Sequence, residues 1–283
     1  MTGPSKGEKM MSRQLAKLLG PMIGALAAIA LLAPVAQAET PATGYEQFDG
    51  CPSPKSENAA ITTCVRSVVT GGHFKMGNKE VPITNPITLS GGIESNSEGF
   101  DYTSKGGLSE AKQPVPGGLI GLTGLDWLIN VLNVEQLKLY AVTELAGTPK
   151  ITSVEKVGLP IKVHLINPVL GNKCYVGSNT TPIDLHLITG TTAPPSPNKP
   201  ITGNPPKYVF NPSSEILTGT GGTFVDNSFA APGASGCMLN LGLLSINIDS
   251  VIDLASGIPS AAGTNETVQN YDIEIVETEL VYP

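Results

Sequence analysis

The sequence predicts a mainly β fold, an antiparallel β-sandwich with short helical or loop insertions. Three observations carry that expectation. Gly and Pro supply 56 of the 283 residues, about a fifth against roughly 12% in ordinary domains, and both interrupt helix interiors. Segments in which apolar and polar residues alternate with period two recur along the chain, as in half-buried strands. Four cysteines, an even number, follow an N-terminal export signal, the setting in which disulfides staple loop-rich domains.

The first 38 residues (1–38) read as a signal peptide. Lys6, Lys9, Arg13 and Lys17 make a basic start, an apolar run extends from Leu18 to Val35, and Ala36-Gln37-Ala38 supplies the small-x-small pattern of a cleavage site. Gly20, Pro21, Gly24 and Pro34 weaken the run as a membrane span, so no transmembrane anchor is expected after cleavage. Residues 39–283 are expected to form a single disulfide-stapled β domain, secreted or associated with the cell surface. Its 13 basic and 23 acidic side chains give a net charge of −10, which favours solubility and disfavours anionic partners. With only Arg13 and Arg66 as arginines in the whole chain, no nucleic-acid partner is expected, because displacing counterions from phosphate needs clustered cations.

Cys51, Cys64, Cys174 and Cys237 allow three connectivities. The favoured one joins Cys51 to Cys64 and Cys174 to Cys237. The first bridge would close a short Pro-containing loop near the mature N-terminus, and the second would span the most Pro-rich stretch. Zinc binding is the rival reading, but no C-x-x-C pair and no nearby His occur.

Along the chain, Gly72 to Leu89 predicts a hairpin turning at Gly77-Asn78, followed by an edge strand bearing Pro82 and Pro86. Gln136–Leu145, Ile161–Ile166, Ile183–Ile188, Tyr208–Phe210 and Tyr271–Val281 alternate as strands. From Leu119 to Leu132, and less cleanly from Leu239 to Leu254, apolar residues recur at helical spacing; each segment reads as a short helix or a buried loop. Both halves share the layout of glycine turn, apolar segment and alternating strand, which hints at duplication. Residues 191–206, with six prolines, make a stiff extended connector. The favoured second bridge would tie its two sides together as a surface loop within one domain.

A repeated phrase, Ile-x-φ-His-Leu-Ile, covers Ile161–Ile166 and Ile183–Ile188. If these strands pair, His164 and His186 could share an exposed face with Lys162 and Asp184. That face suggests either a metal or proton-transfer site or, more simply, the solvent side of a half-buried sheet. Two histidines lack the third ligand that a metal site wants.

Motifs of catalysis are thin. Gly233-Ala234-Ser235-Gly236 falls one residue short of a nucleophile elbow, and the Ser-x-x-Lys matches at Ser109/Lys112 and Ser153/Lys156 lack companion motifs. Gly117–Gly121 and Gly219–Gly222 lack the residues of a phosphate loop or dinucleotide site. Carboxylates remain: Glu94, Glu98 and Asp101 in a Gly/Ser-rich loop, Asp126 beside Trp127, and Glu274, Glu277 and Glu279 near the C-terminus. Two of them suffice for glycan hydrolysis, but the chain is poor in aromatic platforms for sugar rings. Asn179 and Asn265 begin glycosylation sequons.

Three blocks carry a resemblance: Cys64-Val65-Arg66-Ser67 with Gly71–Lys79 and Pro86–Leu89; Asn167–Gly171 with Cys174–Ser178; and Pro232–Cys237 with Gly257–Gly263. Together they are similar to a group of uncharacterised exported proteins of high-GC Gram-positive bacteria. The resemblance implies export and brings no catalytic residue with it.

The expected function is that of a non-enzymatic cell-envelope or extracellular structural or binding protein, with no catalytic, metal or cofactor residues and an envelope or extracellular component as partner. One alternative is a secreted hydrolase of envelope glycans or esters acting through surface carboxylates. The other is a carrier of a lipid or other apolar ligand, which requires an enclosed apolar cavity of about 300 Å³ or more.

Overall fold

The computed structural model describes residues 39–55, 60–96 and 99–283; the expected signal peptide and Glu98 lie outside them. Eight strands make the frame: β1 (Thr63–Met76), β2 (Ile87–Asn96), β3 (Gly99–Thr103), β4 (Lys150–Ser153), β5 (Lys156–Ile166), β6 (Ile183–Ile188), β7 (Ile216–Asp226) and β8 (Glu266–Glu277). Each pairs antiparallel with the next in chain order, and β8 returns to pair with β1. The protein is therefore mainly β and antiparallel, as its alternation predicts. The sheet closes into an eight-stranded up-and-down barrel where a two-sheet sandwich was expected. Closure removes the free edges that an open sheet must protect.

Period-two patterning reports which face a residue takes and is silent about curvature. Curvature comes from glycine and bulges inside the strands. The β1–β8 register slips between Val69 and Gly71, and the β7–β8 register slips between Gly219 and Gly222; such bulges bend a strand and increase its twist. Gly72 has φ +110° and a side chain there would lie 1.9 Å from the Val268 carbonyl oxygen. At Gly222 a Cβ would stand 2.6 Å from the ring of Tyr271, which lies flat across the glycine. Gly222→Ala is accordingly expected to destabilise the fold by about 2 kcal/mol through overpacking, measurable as a lower urea midpoint with an unchanged slope.

The two ends of the barrel differ. At one end the β4–β5 connection is tight, and β6–β7 is joined by the Pro-rich connector. Four of the connections between consecutive strands gather at the other end. The β1–β2 connection carries the strand Lys79–Pro82, which pairs back on β1 with Met76 opposite Lys79, so the predicted turn at Gly77-Asn78 is present. The β3–β4 connection holds helix α1 (Gly118–Thr123), helix α2 (Val134–Leu137) and a strand, Tyr140–Leu145, hydrogen-bonded to β5. The β7–β8 connection holds a hairpin (Met238–Leu241 with Leu244–Asn247) and helix α3 (Asp249–Ser256). Helices α1 and α3 touch each other. Leu122 from α1 and Ile252 from α3 face Phe74, Met76, Val163 and Leu165 of the barrel, so the apolar segments read from the sequence cap this end.

Local chemistry explains the departures from the expected elements. The segment 136–145 starts as a helix because Asn133 and Gln136 form a reciprocal capping box. The segment 271–281 ends as helix α4 (Thr278–Val281). The strand beginning at Ile87 is an interior barrel strand, since Pro86 precedes it and never has to donate to the ladder.

Disulfides join Cys51 to Cys64 and Cys174 to Cys237, the favoured connectivity. The first pins the N-terminal segment onto the outer face of β1 and β8, where Phe48, Ile61, Val276, Val281 and Tyr282 make a second small core. The Pro-rich stretch is a loop of the same body: Thr191 bridges to Thr202, Asn204 to Thr223, and the Asn198 side chain donates to the Asn227 and Asn265 carbonyls.

Candidate functional site

Residues of one parity on each strand point into the barrel. On β8 these are Gln269, Tyr271, Ile273 and Ile275; on β1 they are Val65, Ser67 and Val69, and after the bulge Phe74. Opposite them stand Ile87, Leu89 and Ile93 of β2, Tyr102 of β3, Ile151 of β4, Val157 and Leu159 of β5, Leu187 of β6 and Phe224 of β7. All eight strands thus line one apolar cavity of about 100 Å³. It holds no charged side chain among the described residues; its polar groups are Ser67, Thr143, Ser153, Gln269 and Tyr102.

The cavity is closed at the capped end and reachable at the other. Phe74 separates it from a smaller void of about 50 Å³ beneath α1 and α3. At the far end Val154, in the β4–β5 turn, is 47% exposed; Phe100 of β3 is exposed too, as are Tyr208, Val209 and Phe210 on the strand Lys207–Asn211, which pairs antiparallel with the first half of β7. Lumen residues Ser67, Val69, Leu89, Ile151, Ile273 and Ile275 are only half-buried, which a solid barrel core would not allow. Eight strands leave an interior just wide enough for side chains or one small ligand. Here the interior is incompletely filled.

The aromatic and polar groups of the wall are fixed by their surroundings. Phe224 stacks on Tyr271 with centroids 4.1 Å apart. Tyr102 donates its hydroxyl to the Ser90 carbonyl at 2.9 Å, and burial pushes its pKa up to about 12. Burial likewise raises the Tyr271 phenol, whose hydroxyl has no partner among the described residues. Both phenols therefore stay neutral at physiological pH. Gln269, 4% exposed, stands opposite Phe224 in the deep half of the lumen.

Comparisons with protein-family models, with curated proteins and with solved structures find no match. The site is therefore judged on its own geometry.

The polar residues singled out in the sequence lie elsewhere. Strands β5 and β6 do pair, but antiparallel, with Ile161 opposite Ile183 and His186 opposite Gly158. The repeated phrases run in opposite directions, and His164 sits six residues from Gly158, roughly 20 Å along the strand. His164 and His186 share no site. His164 instead stacks on Tyr175 at 4.4 Å, with Nδ1 3.3 Å from Glu144. Lys162 pairs with the same Glu144 at 3.4 Å, away from Asp184. Asp184 lies opposite Pro160.

Glu94 and Asp101 face each other across β2 and β3, on the outward parity opposite to the lumen residues Ile93 and Tyr102. Glu274 pairs with Arg66 at 3.1 Å, and Asp126, Trp127, Glu277 and Glu279 are exposed. None of these carboxylates lines the lumen. The Ser-x-x-Lys serines bond backbone: Ser109 Oγ accepts from Thr88 N–H and Ser153 Oγ from Glu155 N–H. Of the sequons, Asn179 is exposed in a turn whereas Asn265 is fully buried.

The lumen residues escape a sequence reading because isolated Val, Ile and Ser positions on separate strands carry no motif. One signal was available. The alternation that begins the last strand at Tyr271 extends back to Gln269, a polar side chain on an otherwise apolar face.

Proposed function

We propose that this is an exported, non-enzymatic binding protein of the cell envelope or extracellular space, which seats the apolar end of a small ligand in its barrel lumen. The uncharged cavity, lined from all eight strands and reachable from one end, carries the reading. Its volume of about 100 Å³ is below the roughly 300 Å³ of a site that encloses a drug-sized ligand and below a cavity of about 150 Å³ that admits benzene. Full enclosure of a lipid is therefore not the fit. A slender apolar end enters, and the rest of the molecule extends through the mouth past Val154. Two disulfides support an oxidising address. Among the described residues no helix is long and apolar enough to cross a membrane. The resemblance to exported bacterial proteins and the leader at 1–38 support the same location.

The test is direct. An apolar fluorescent dye such as N-phenyl-1-naphthylamine is expected to bind the mature chain with a blue-shifted emission. Ser67→Trp, which fills the half-buried lumen between Val65 and Val69, is expected to weaken that binding at least about tenfold while circular dichroism stays unchanged. Unaltered dye affinity in a folded Ser67→Trp chain would place the dye outside the barrel and end this reading.

A further inference from the structure

We propose that the lumen selects neutral ligands that donate a hydrogen bond, an alcohol in the simplest case, and that Gln269 is the residue that selects them. The inference rests on the lumen-binding reading above and adds the chemical class of the ligand.

The orientation of the Gln269 amide follows from its neighbour. The Thr267 hydroxyl donates to the His73 carbonyl at 3.0 Å, so its single proton is used. Thr267 Oγ1 can then only accept from Gln269, and it does so from Nε2 at 3.3 Å. The amide is thereby fixed with Oε1 as its remaining face. That oxygen accepts no hydrogen bond among the described residues, although Gln269 is 4% exposed and lines the cavity. The oxygen is not sealed into the wall: it keeps accessible surface on a side chain that lines the cavity, and is open to a donor on the ligand.

Water competes poorly for this oxygen. A buried water needs two to four polar partners; on the inward row beside Gln269 the Thr267 hydroxyl is already used, which leaves the Tyr271 hydroxyl, and Phe224 stands opposite. The lumen serine Ser67 lies opposite Ile273, four residues along β8 from Gln269, about 13 Å away. A carboxylate fits no better. It cannot donate to Oε1, and no cation among the described residues lines the cavity to balance its charge. An ether or an alkane leaves Oε1 unmatched. A hydroxyl satisfies it, and also accepts from the second Nε2 proton. The slender apolar end that enters the lumen therefore carries one hydroxyl at its tip: the tip pairs with Gln269 in the deep half, and the chain behind it lies against the apolar wall.

The experiment is displacement of bound N-phenyl-1-naphthylamine from the mature chain at pH 8 by 1-octanol, by 1-methoxyheptane of equal heavy-atom count, and by octanoate. Octanol is expected to bind about tenfold tighter than the ether, as one net hydrogen bond predicts, with octanoate weaker than both. In Gln269→Leu the preference for octanol is expected to vanish while the ether keeps its affinity. Equal binding of octanol and ether by the unaltered protein, tightest binding of octanoate, or a preference that survives in Gln269→Leu would overturn the role of Gln269 and leave the lumen reading standing. Failure of all three to displace the dye would overturn the lumen reading itself. Should Gln269→Leu not fold, the alcohol-to-ether comparison in the unaltered chain decides, with Gln269→Met as the second variant.

Discussion

Without the Cys174–Cys237 bridge, the chain is expected to lose about 4 kcal/mol of unfolding free energy. The bridge closes a loop of sequence separation 63, and the chain-entropy relation gives about that figure for such a loop. Against the 5–15 kcal/mol of an ordinary domain this is a large share. The position of the bridge adds a local consequence. Cys237 N–H donates to Asp249 Oδ1 and Ala234 N–H to Asp253 Oδ1, both at 2.7 Å, so the bridge holds the segment that anchors α3 over the capped end. In Cys174→Ala/Cys237→Ala, urea unfolding should show the global loss, and hydrogen exchange should quicken first in residues 234–257. A change below about 1 kcal/mol would contradict the loop argument. The Cys51–Cys64 bridge, with separation 13, is worth about 3 kcal/mol on the same relation. Its loss should loosen the small outer core around Phe48 before the barrel.

Asn265→Ala is expected to cost about 3–5 kcal/mol. Asn265 has no exposed surface. Its Oδ1 accepts from Gly77 N–H at 2.9 Å and Ser260 Oγ–H at 2.6 Å, and its Nδ2 donates to the Phe229 carbonyl at 2.9 Å and the Ala261 carbonyl at 3.2 Å. One amide thus ties the β1–β2 turn to both ends of the β7–β8 connection. Alanine leaves several buried donors and acceptors unmatched at about 1–3 kcal/mol each, partly relieved by water entering the gap. Chemical denaturation measures the loss; a variant within 1 kcal/mol of the parent would show that the hub is dispensable. The same burial closes the sequon at Asn265 to glycosylation in the folded chain and leaves Asn179 as the accessible one.

Much of the frame was legible from residue alternation. Ile183–Ile188 coincides with β6, and Ala141 and Thr143 share one face of the Tyr140–Leu145 strand as their spacing requires. What the pattern misses has a common cause. Strand β7 is absent from the expected strands because Gly219, Gly221 and Gly222 interrupt its alternation and weaken strand propensity; in the barrel Gly222 makes room for Tyr271 and the register shift between Gly219 and Gly222 lets the sheet turn. Closure is equally hidden, since pairing of β8 with β1 depends on accumulated twist across every strand between them. The candidate site inherits that opacity. A cavity is a property of where eight side-chain rows converge, and no one row announces it. The repeated His phrase misleads for the opposite reason: it is conspicuous in sequence, and antiparallel pairing separates its two copies.

The seam between β1 and β8 sets an order of events in folding. Every other pair in the barrel joins strands consecutive in the chain, whereas here Thr63 meets Glu277, across nearly the full length of the polypeptide. Contacts of such long separation form late. Until β8 is available, β1 presents an unsatisfied edge, a template for intermolecular pairing. A nascent molecule emerging N-terminus first must keep that edge from neighbouring copies until its final strand arrives, so aggregation should be most severe for chains truncated just before residue 266.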